Sequence, residues 1–379
     1  MSAHNRILIV GGGSAAIALA NRLRRSNSTD NLSITVIGDQ PKHFCKSDGT
    51  LISLGLKEYR SSVKATRFLL SSGIRYVRDY VTNIRVNEKV VKTGSNEIFK
   101  FDKLVLATGT VPATYQIPGY DGEGKHFRDL QHALELRKNI EKFKGGRVVV
   151  GLSGPPLHCP LDIHEFALLF AEMVKNGRLP KSEVHLVYPD ADLFGHKNIS
   201  SLLNDLYHNM GVNIHTNFRA AEISQKNREL ISESGEILNY DLLVLTPPVS
   251  GSTSLQNIGI TDEGGLVRVD RETLKVEGAE NLYAIGDATI NEVPKSELST
   301  VYQVKYLSRR ITDEIRGLES EERYDGTTGC SAMVGGRKGI SISYSYEEPP
   351  RTPLPSESDF WYRLNYSDTY FSAVIRGII

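Results

Sequence analysis

The sequence predicts an α/β fold of two Rossmann-like domains, the second inserted in the first, plus a small carboxy-terminal region. Two βαβ patterns, and the β-rich stretches between and after them, carry that prediction. The first pattern runs from Ile7-Leu8-Ile9-Val10 through a glycine turn and a helix past Ala20 and Leu23 to Ile34-Thr35-Val36-Ile37. The second opens at Arg147-Val148-Val149-Val150, continues through a helix from near Ile163 to Lys175, and reaches Val184-His185-Leu186-Val187. Short unbroken apolar runs of this kind suit strands buried on both faces of a parallel sheet. Lys89-Val90-Val91-Lys92 and Leu266-Val267-Arg268-Val269 read as small antiparallel insertions. On this reading the first domain takes residues 1–112 and 246–320, the second 113–245, and the tail 321–379.

Composition sets the outer limits. A chain of 379 residues is too long for one ordinary core. Its 45 basic and 45 acidic residues balance, which gives no pull towards nucleic acid or an acidic polymer. No apolar run is long enough for a bilayer-spanning helix. Met1-Ser2-Ala3-His4-Asn5-Arg6 leads straight into the first strand and leaves no room for a secretory leader, so a cytoplasmic location is expected. The three cysteines, Cys45, Cys159 and Cys330, show none of the paired spacings of a zinc site. The tail is apolar at Phe360, Trp361, Leu364, Tyr370, Phe371, Val374, Ile375, Ile378 and Ile379. Either it docks on its own fold or an oligomer interface, or it makes peripheral contact with a membrane surface.

The first glycine turn carries chemistry. Gly11, Gly13 and Ala16 fit G-x-G-x-x-[G/A] between a strand and a helix. The first glycine makes the turn, the second admits a pyrophosphate close to the backbone, and the small third residue packs helix on strand. The second strand ends at Gly38, where an acidic residue often holds ribose hydroxyls. Asp39, the next residue, is the candidate for that contact, with a plain surface turn as the alternative. Two later strands end in small-residue turns, at Ala107-Thr108-Gly109 and at Gly286-Asp287. They resemble the ATG and GD motifs of two-dinucleotide-domain flavoproteins. That resemblance implies FAD, held by Gly11, Gly13, Ala16, Ala107, Gly109, Gly286 and Asp287, with Asp287 on the ribityl chain.

The matching turn of the second unit is Gly151-Leu152-Ser153-Gly154-Pro155-Pro156-Leu157-His158-Cys159-Pro160. Its prolines lack the N–H donors that a pyrophosphate cradle needs, so no nicotinamide site is expected there. This segment and Glu165 resemble the Pro-Pro…Cys-Pro…Glu pattern of sulfide:quinone oxidoreductases and the flavocytochrome c sulfide dehydrogenase flavoprotein. Asn291 to Ser296, containing Pro294-Lys295-Ser296, and Gly329-Cys330-Ser331 followed by Lys338 to Ile342 extend the resemblance over most of the chain. Trp361-Tyr362 looks more like the sulfide dehydrogenase branch.

The resemblance implies that Cys159 and Cys330 form a redox pair beside the flavin, which sulfide opens to a persulfide. Electrons would go to a quinone or a redox protein, leaving zero-valent sulfur. It makes Glu165 a candidate acid/base and Lys295 a cation for the reduced flavin. His132 and His196 also fall at family histidine positions, without an assigned role. Two departures stand out. Lys125 to Leu130 lacks the further cysteine usual in quinone-reducing members. Cys45 lies near the position where the sulfide dehydrogenase cysteine bonds the flavin, and coenzyme A disulfide reductases carry their redox cysteine in the same region. Covalent attachment of FAD through Cys45, a redox thiol and a bystander all remain open. The rival function is accordingly an NAD(P)H-dependent disulfide reductase, such as a coenzyme A disulfide reductase, using Cys45.

Overall fold

The computed structural model describes residues 4–155, 159–255, 259–290 and 292–379. Pro156, Leu157 and His158 of the second turn, and Asn291 before the Pro-Lys-Ser segment, lie outside the described residues.

The first strand β1 (Asn5–Val10) turns at the glycines into α1 (Ser14–Ser26), which returns to β2 (Leu32–Ile37). β3 (Ile74–Val77) and β4 (Lys103–Leu106) add to either side. β1 lies between β2 and β4, in parallel register from Asn5↔Leu32 to Val10↔Ile37 and from Ile7↔Lys103 to Val10↔Leu106. Both faces of this sheet are covered, which is why its strands carry apolar residues at successive positions.

After the helix α2 (Leu130–Lys142), a second parallel sheet is built from β5 (Gly146–Leu152), β6 (Ser182–Val187), β7 (Asn213–His215) and β8 (Leu242–Thr246), in the order β7-β6-β5-β8. α3 (Leu161–Lys175) and α4 (Lys197–Met210) cross between its strands. The chain then returns: β9 (Leu282–Ala284) joins the first sheet beside β4, giving β9-β4-β1-β2-β3. α5 (Glu297–Ile315) packs on α1.

One expected insertion differs. Val90–Thr93 sits in a three-stranded antiparallel sheet, but Val267–Arg268 pairs in parallel with Thr289–Ile290. The stretch around Val267 also makes single antiparallel bridges, from Val267 to Thr261 and from Val269 to Val276.

The tail forms a hairpin, β10 (Thr328–Gly335) and β11 (Lys338–Tyr344), then α6 (Glu357–Thr369) and a π-helical turn, Tyr370–Val374. β10 packs on α3, and α6 lies over the hairpin. Tyr370, Phe371, Val374 and Ile375 are buried against Ile17 of α1 and Leu69, so this end docks on its own fold. Trp361, Tyr362, Ile378 and Ile379 stay about half exposed. Among the described residues no helix is long and apolar enough to cross a membrane.

Candidate active site

A cavity of about 640 Å³ opens where the carboxyl ends of the first sheet meet the tail. Its walls come from the Gly11 turn, Thr108-Gly109, Gly286-Asp287, Cys159, Cys330 and α6. This is the crevice in which open α/β sheets hold ligands.

The glycine turn is shaped by close approach. Gly11 has φ +131°, and a Cβ there would stand 2.2 Å from the Ala107 carbonyl oxygen. Gly13 has open space where a Cβ would go, and it precedes α1 without any side-chain cap. The N-terminus of α1 therefore meets the cavity at Gly13, Ser14 and Ala15. Ala16 is fully buried at the helix–strand contact. The absence of an acidic residue at Gly38 has a steric cause: a Cβ there would lie 2.9 Å from the Gly12 backbone. Asp39, exposed, lines the cavity. Ala107, Gly109, Gly286 and Asp287 line it as well, and the Gly286 N–H donates to Gln303 Oε1 at 2.6 Å. The Thr108 and Thr110 hydroxyls, also on this wall, are buried without partners. Small turns around an elongated space, an uncapped helix start and orphaned hydroxyls together fit FAD.

Cys159 precedes α3 of the second sheet and Cys330 sits on β10, yet their Sγ atoms are 2.6 Å apart in the cavity wall. The backbone holds the first of them in place, as Cys159 N–H donates to the Lys295 carbonyl at 3.1 Å. Its neighbour Cys330, followed by burial, pushes the Cys159 thiol well up. The Lys295 ammonium donates to the carbonyls of Asp287 and Thr289, both at 2.8 Å. Burial pushes its pKa down, opposed by the nearby carboxylates of Asp287 and Asp262.

Glu165, the candidate acid/base, is not among the residues lining this cavity. It is 2 % exposed, and both oxygens are taken: Arg363 Nε and Nη2 donate at 3.0 and 2.9 Å, and Met333 N–H donates at 2.9 Å. Burial pushes its carboxyl up, and the Arg363 guanidinium opposes this. The pair locks α3, which follows Cys159, to β10, which carries Cys330, and to α6. Arg363 Nη2 also donates to the Ser47 carbonyl. Sequence reasoning missed Arg363, because nothing local marks a helix arginine as the partner of a residue so distant in the chain.

Cys45 is also placed away from the chemistry. It is fully buried in the apolar cluster of Ile17, Leu69, Tyr370 and Phe371, and is not among the residues lining the cavity. Its sulfur lies 3.1 Å from Ser47 Oγ, and burial pushes the thiol well above its ordinary value. Burial in such apolar surroundings disfavours the thiolate.

Two further groups on the cavity wall went unread in the sequence. Glu297 opens α5, and burial pushes its carboxyl up to about 7. His43 is pushed down to about 4 by burial, and its Nε2 lies 2.8 Å from the Tyr370 hydroxyl. A Ser-Glu pair after Pro-Lys signals a helix start in the sequence, but not what the start faces. Elsewhere, His126, Asp129 and His132 bring possible ligand atoms within 4.8 Å. The two rings stack with their centroids 4.0 Å apart.

The fold and cavity define an FAD-dependent oxidoreductase with two dinucleotide-type sheets. Residues 5–304 match the model of the pyridine nucleotide-disulphide oxidoreductase family, and the chain belongs to that family. It is 25% identical over 365 residues to the mitochondrial sulfide:quinone oxidoreductase of Mus musculus, covering 93% of this chain and 80% of that protein. The type II NADH:quinone oxidoreductase of Staphylococcus saprophyticus is 20% identical, over 89% of this chain and 90% of its own. The crystal structure of the sulfide:quinone oxidoreductase from Aquifex aeolicus superposes with a TM-score of 0.86 at 18% identity, covering 98% of this chain and 92% of that one.

Proposed function

We propose that this oxidoreductase oxidises sulfide to zero-valent sulfur through Cys159 and Cys330 and passes the electrons, by way of FAD, to a quinone. One observation carries the reading: two cysteines from separate parts of the chain meet at 2.6 Å on the wall of the FAD cavity. The sulfide:quinone oxidoreductases among its relatives support the substrate and acceptor. In this scheme the two sulfurs are bridged in the oxidised protein. Sulfide attacks one sulfur, forming a persulfide and releasing the other as a thiolate. Loss of two electrons and a proton from that pair closes a trisulfide, which holds the zero-valent sulfur. Bound FAD supplies the two-electron acceptor. Gly11, Gly13, Asp39, Gly109 and Asp287 bind it, Lys295 provides a cation beside it, and Glu165 with Arg363 positions the two sulfur-bearing elements. FAD is held without a bond to Cys45, since that thiol faces an apolar cluster. The exposed Trp361, Tyr362, Ile378 and Ile379 offer an apolar edge for an approaching quinone or membrane surface.

The rival, a nicotinamide-dependent disulfide reductase, loses its thiol with the burial of Cys45. At the corresponding turn Ser153 N–H and Oγ both donate to the Thr246 carbonyl at 3.0 Å, and the prolines of the sequence there offer no N–H donors. Anaerobic stopped-flow absorbance decides between the two. Sulfide is expected to bleach the flavin within seconds while NADH leaves it oxidised. Stoichiometric bleaching by NADH, with none by sulfide, overturns the proposal.

A further inference from the structure

Two electrons entering the inner part of this cavity bring negative charge beside buried groups, and that charge is costly unless a cation or proton accompanies it. Several cations around this cavity are already engaged. Arg128 is paired with Asp162, Arg363 with Glu165, and Lys295 with two carbonyls. Most protonatable neighbours are fixed in one state near neutral pH. Cys45, Tyr366 and Tyr370 are pushed well up by burial and stay protonated. The low value of His43 keeps it neutral.

Glu297 differs. It lines the cavity from the first position of α5, where the helix N-terminus favours a carboxylate. Among the described residues its Oε1 is shut from solvent without a hydrogen-bond partner, and so is the hydroxyl of Tyr366 on the opposing helix α6. An orphaned buried carboxylate oxygen is costly when charged and is relieved by a proton. The groups facing it come from every surrounding element. Ser14 of α1 hydrogen-bonds to it, Asp287 repels its charge, and Lys46 and Arg128 attract it. Tyr366, Tyr370 and Cys45 in turn feel its charge. Burial and these opposing influences leave it titrating near neutrality, unlike Cys45, Tyr366, Tyr370 and His43.

We propose that Glu297 is the proton acceptor of this cavity, binding one proton as two electrons enter the bound flavin and releasing it when they leave. The proton comes from solvent and ends on a Glu297 carboxylate oxygen; the electrons come from whichever reductant reaches the flavin. The inference rests on FAD occupying the cavity and not on sulfide as substrate, so the test uses dithionite. If sulfide fails to reduce the protein, this inference stands or falls separately.

Reduced-minus-oxidised infrared difference spectra of the FAD-loaded protein report the carboxyl directly. Above pH about 7 the oxidised protein holds a carboxylate, and reduction is expected to raise a protonated carboxyl band that shifts in D₂O. Below that pH the carboxyl is already protonated and the band gain fades. Glu297→Gln is expected to lose the band, and to remove the break near pH 7 in the dependence of the flavin midpoint potential on pH. Glu297→Asp, which keeps a carboxyl, is expected to retain the band at a shifted frequency, and it serves as the test if Glu297→Gln does not hold FAD. An undiminished band in Glu297→Gln, an unmoved band in Glu297→Asp, or no carboxyl band in the wild-type protein overturns the proposal.

Discussion

The two parallel sheets begin alike and end differently. Each opens with a buried apolar strand, turns at glycines and enters a helix that packs back on the sheet. At the first turn the backbone is kept bare: Gly13 leaves open space, and α1 starts uncapped. At the second, Ser153 spends its N–H and its hydroxyl on Thr246, and Cys159-Pro160 leads into α3. A turn without side chains that opens an uncapped helix suits an anionic cofactor. A turn whose serine is tied to the neighbouring strand can instead carry a side chain to a fixed point. The same supersecondary plan thus yields a cradle at one end and a mounted sulfur at the other.

Removing the mounted sulfur tests that contrast most severely. Cys159→Ala and Cys330→Ala should each cut sulfide-dependent flavin reduction by about 10³-fold or more, and the double mutant should be no worse, as for residues acting as one unit. Bound FAD, read by absorbance, should be unchanged in all three, because the first turn is untouched. Near-normal reduction in either single mutant would separate the cysteines from the chemistry.

The next effect concerns what holds the second end in place. Arg363→Met leaves Glu165 charged and buried beside β10, and should cost ~3–5 kcal/mol in urea unfolding. Adding Glu165→Gln should recover part of that loss. If Arg363→Met is as stable as the parent, the fork is not what ties α3, β10 and α6 together.

A matched pair of glycines compares the turns directly. Gly13→Ala places a methyl in the space proposed for the pyrophosphate. A misfit of this kind costs ~1–3 kcal/mol, or roughly ten- to hundredfold in FAD affinity. The melting temperature of the FAD-free protein should hardly move, since nothing lies within 4 Å of that position. Gly154→Ala is equally open, and should leave both stability and FAD affinity within about 0.5 kcal/mol of the parent. Equal FAD loss from the two would erase the distinction between the turns.

The smallest effect belongs to the remaining thiol. Cys45→Ala removes one buried sulfur and should cost about 1 kcal/mol in stability with FAD content intact. Acid precipitation of the parent protein should leave a colourless pellet and yellow supernatant. Colour retained in the pellet would put the flavin on a cysteine after all.

The parts read from sequence were those whose cause is local. Ile7 to Val10, Gly11 to Ala16 and the Gly286-Asp287 turn each owe their form to neighbours a few residues away, and spacing alone betrays them. Asp39 also falls at the cavity, displaced one position because Gly38 has to pass the Gly12 backbone. The juxtaposition of Cys159 and Cys330 was expected from family resemblance and not from spacing, since only the tertiary fold joins α3 to β10. What escaped was long-range. Glu165 reads as a candidate acid/base, and its pairing with Arg363 from α6 cannot be seen locally; nor can the packing of Phe371 and Tyr370 against Cys45. Charge and burial settled by partners hundreds of positions away leave no mark on the local sequence.

Because α6 and Tyr370 form one wall of the cavity, the order of synthesis constrains when it can close. On the ribosome the Gly11 turn emerges long before α6, and a nascent chain that has folded β1, α1 and β2 presents an uncovered glycine turn. Neither Arg363 nor the tyrosines of the last wall yet exist at that stage. A cofactor captured early would sit open to solvent, with Glu165 still unpaired. The wall that α6 and Tyr370 supply is thus the last of these parts to be added.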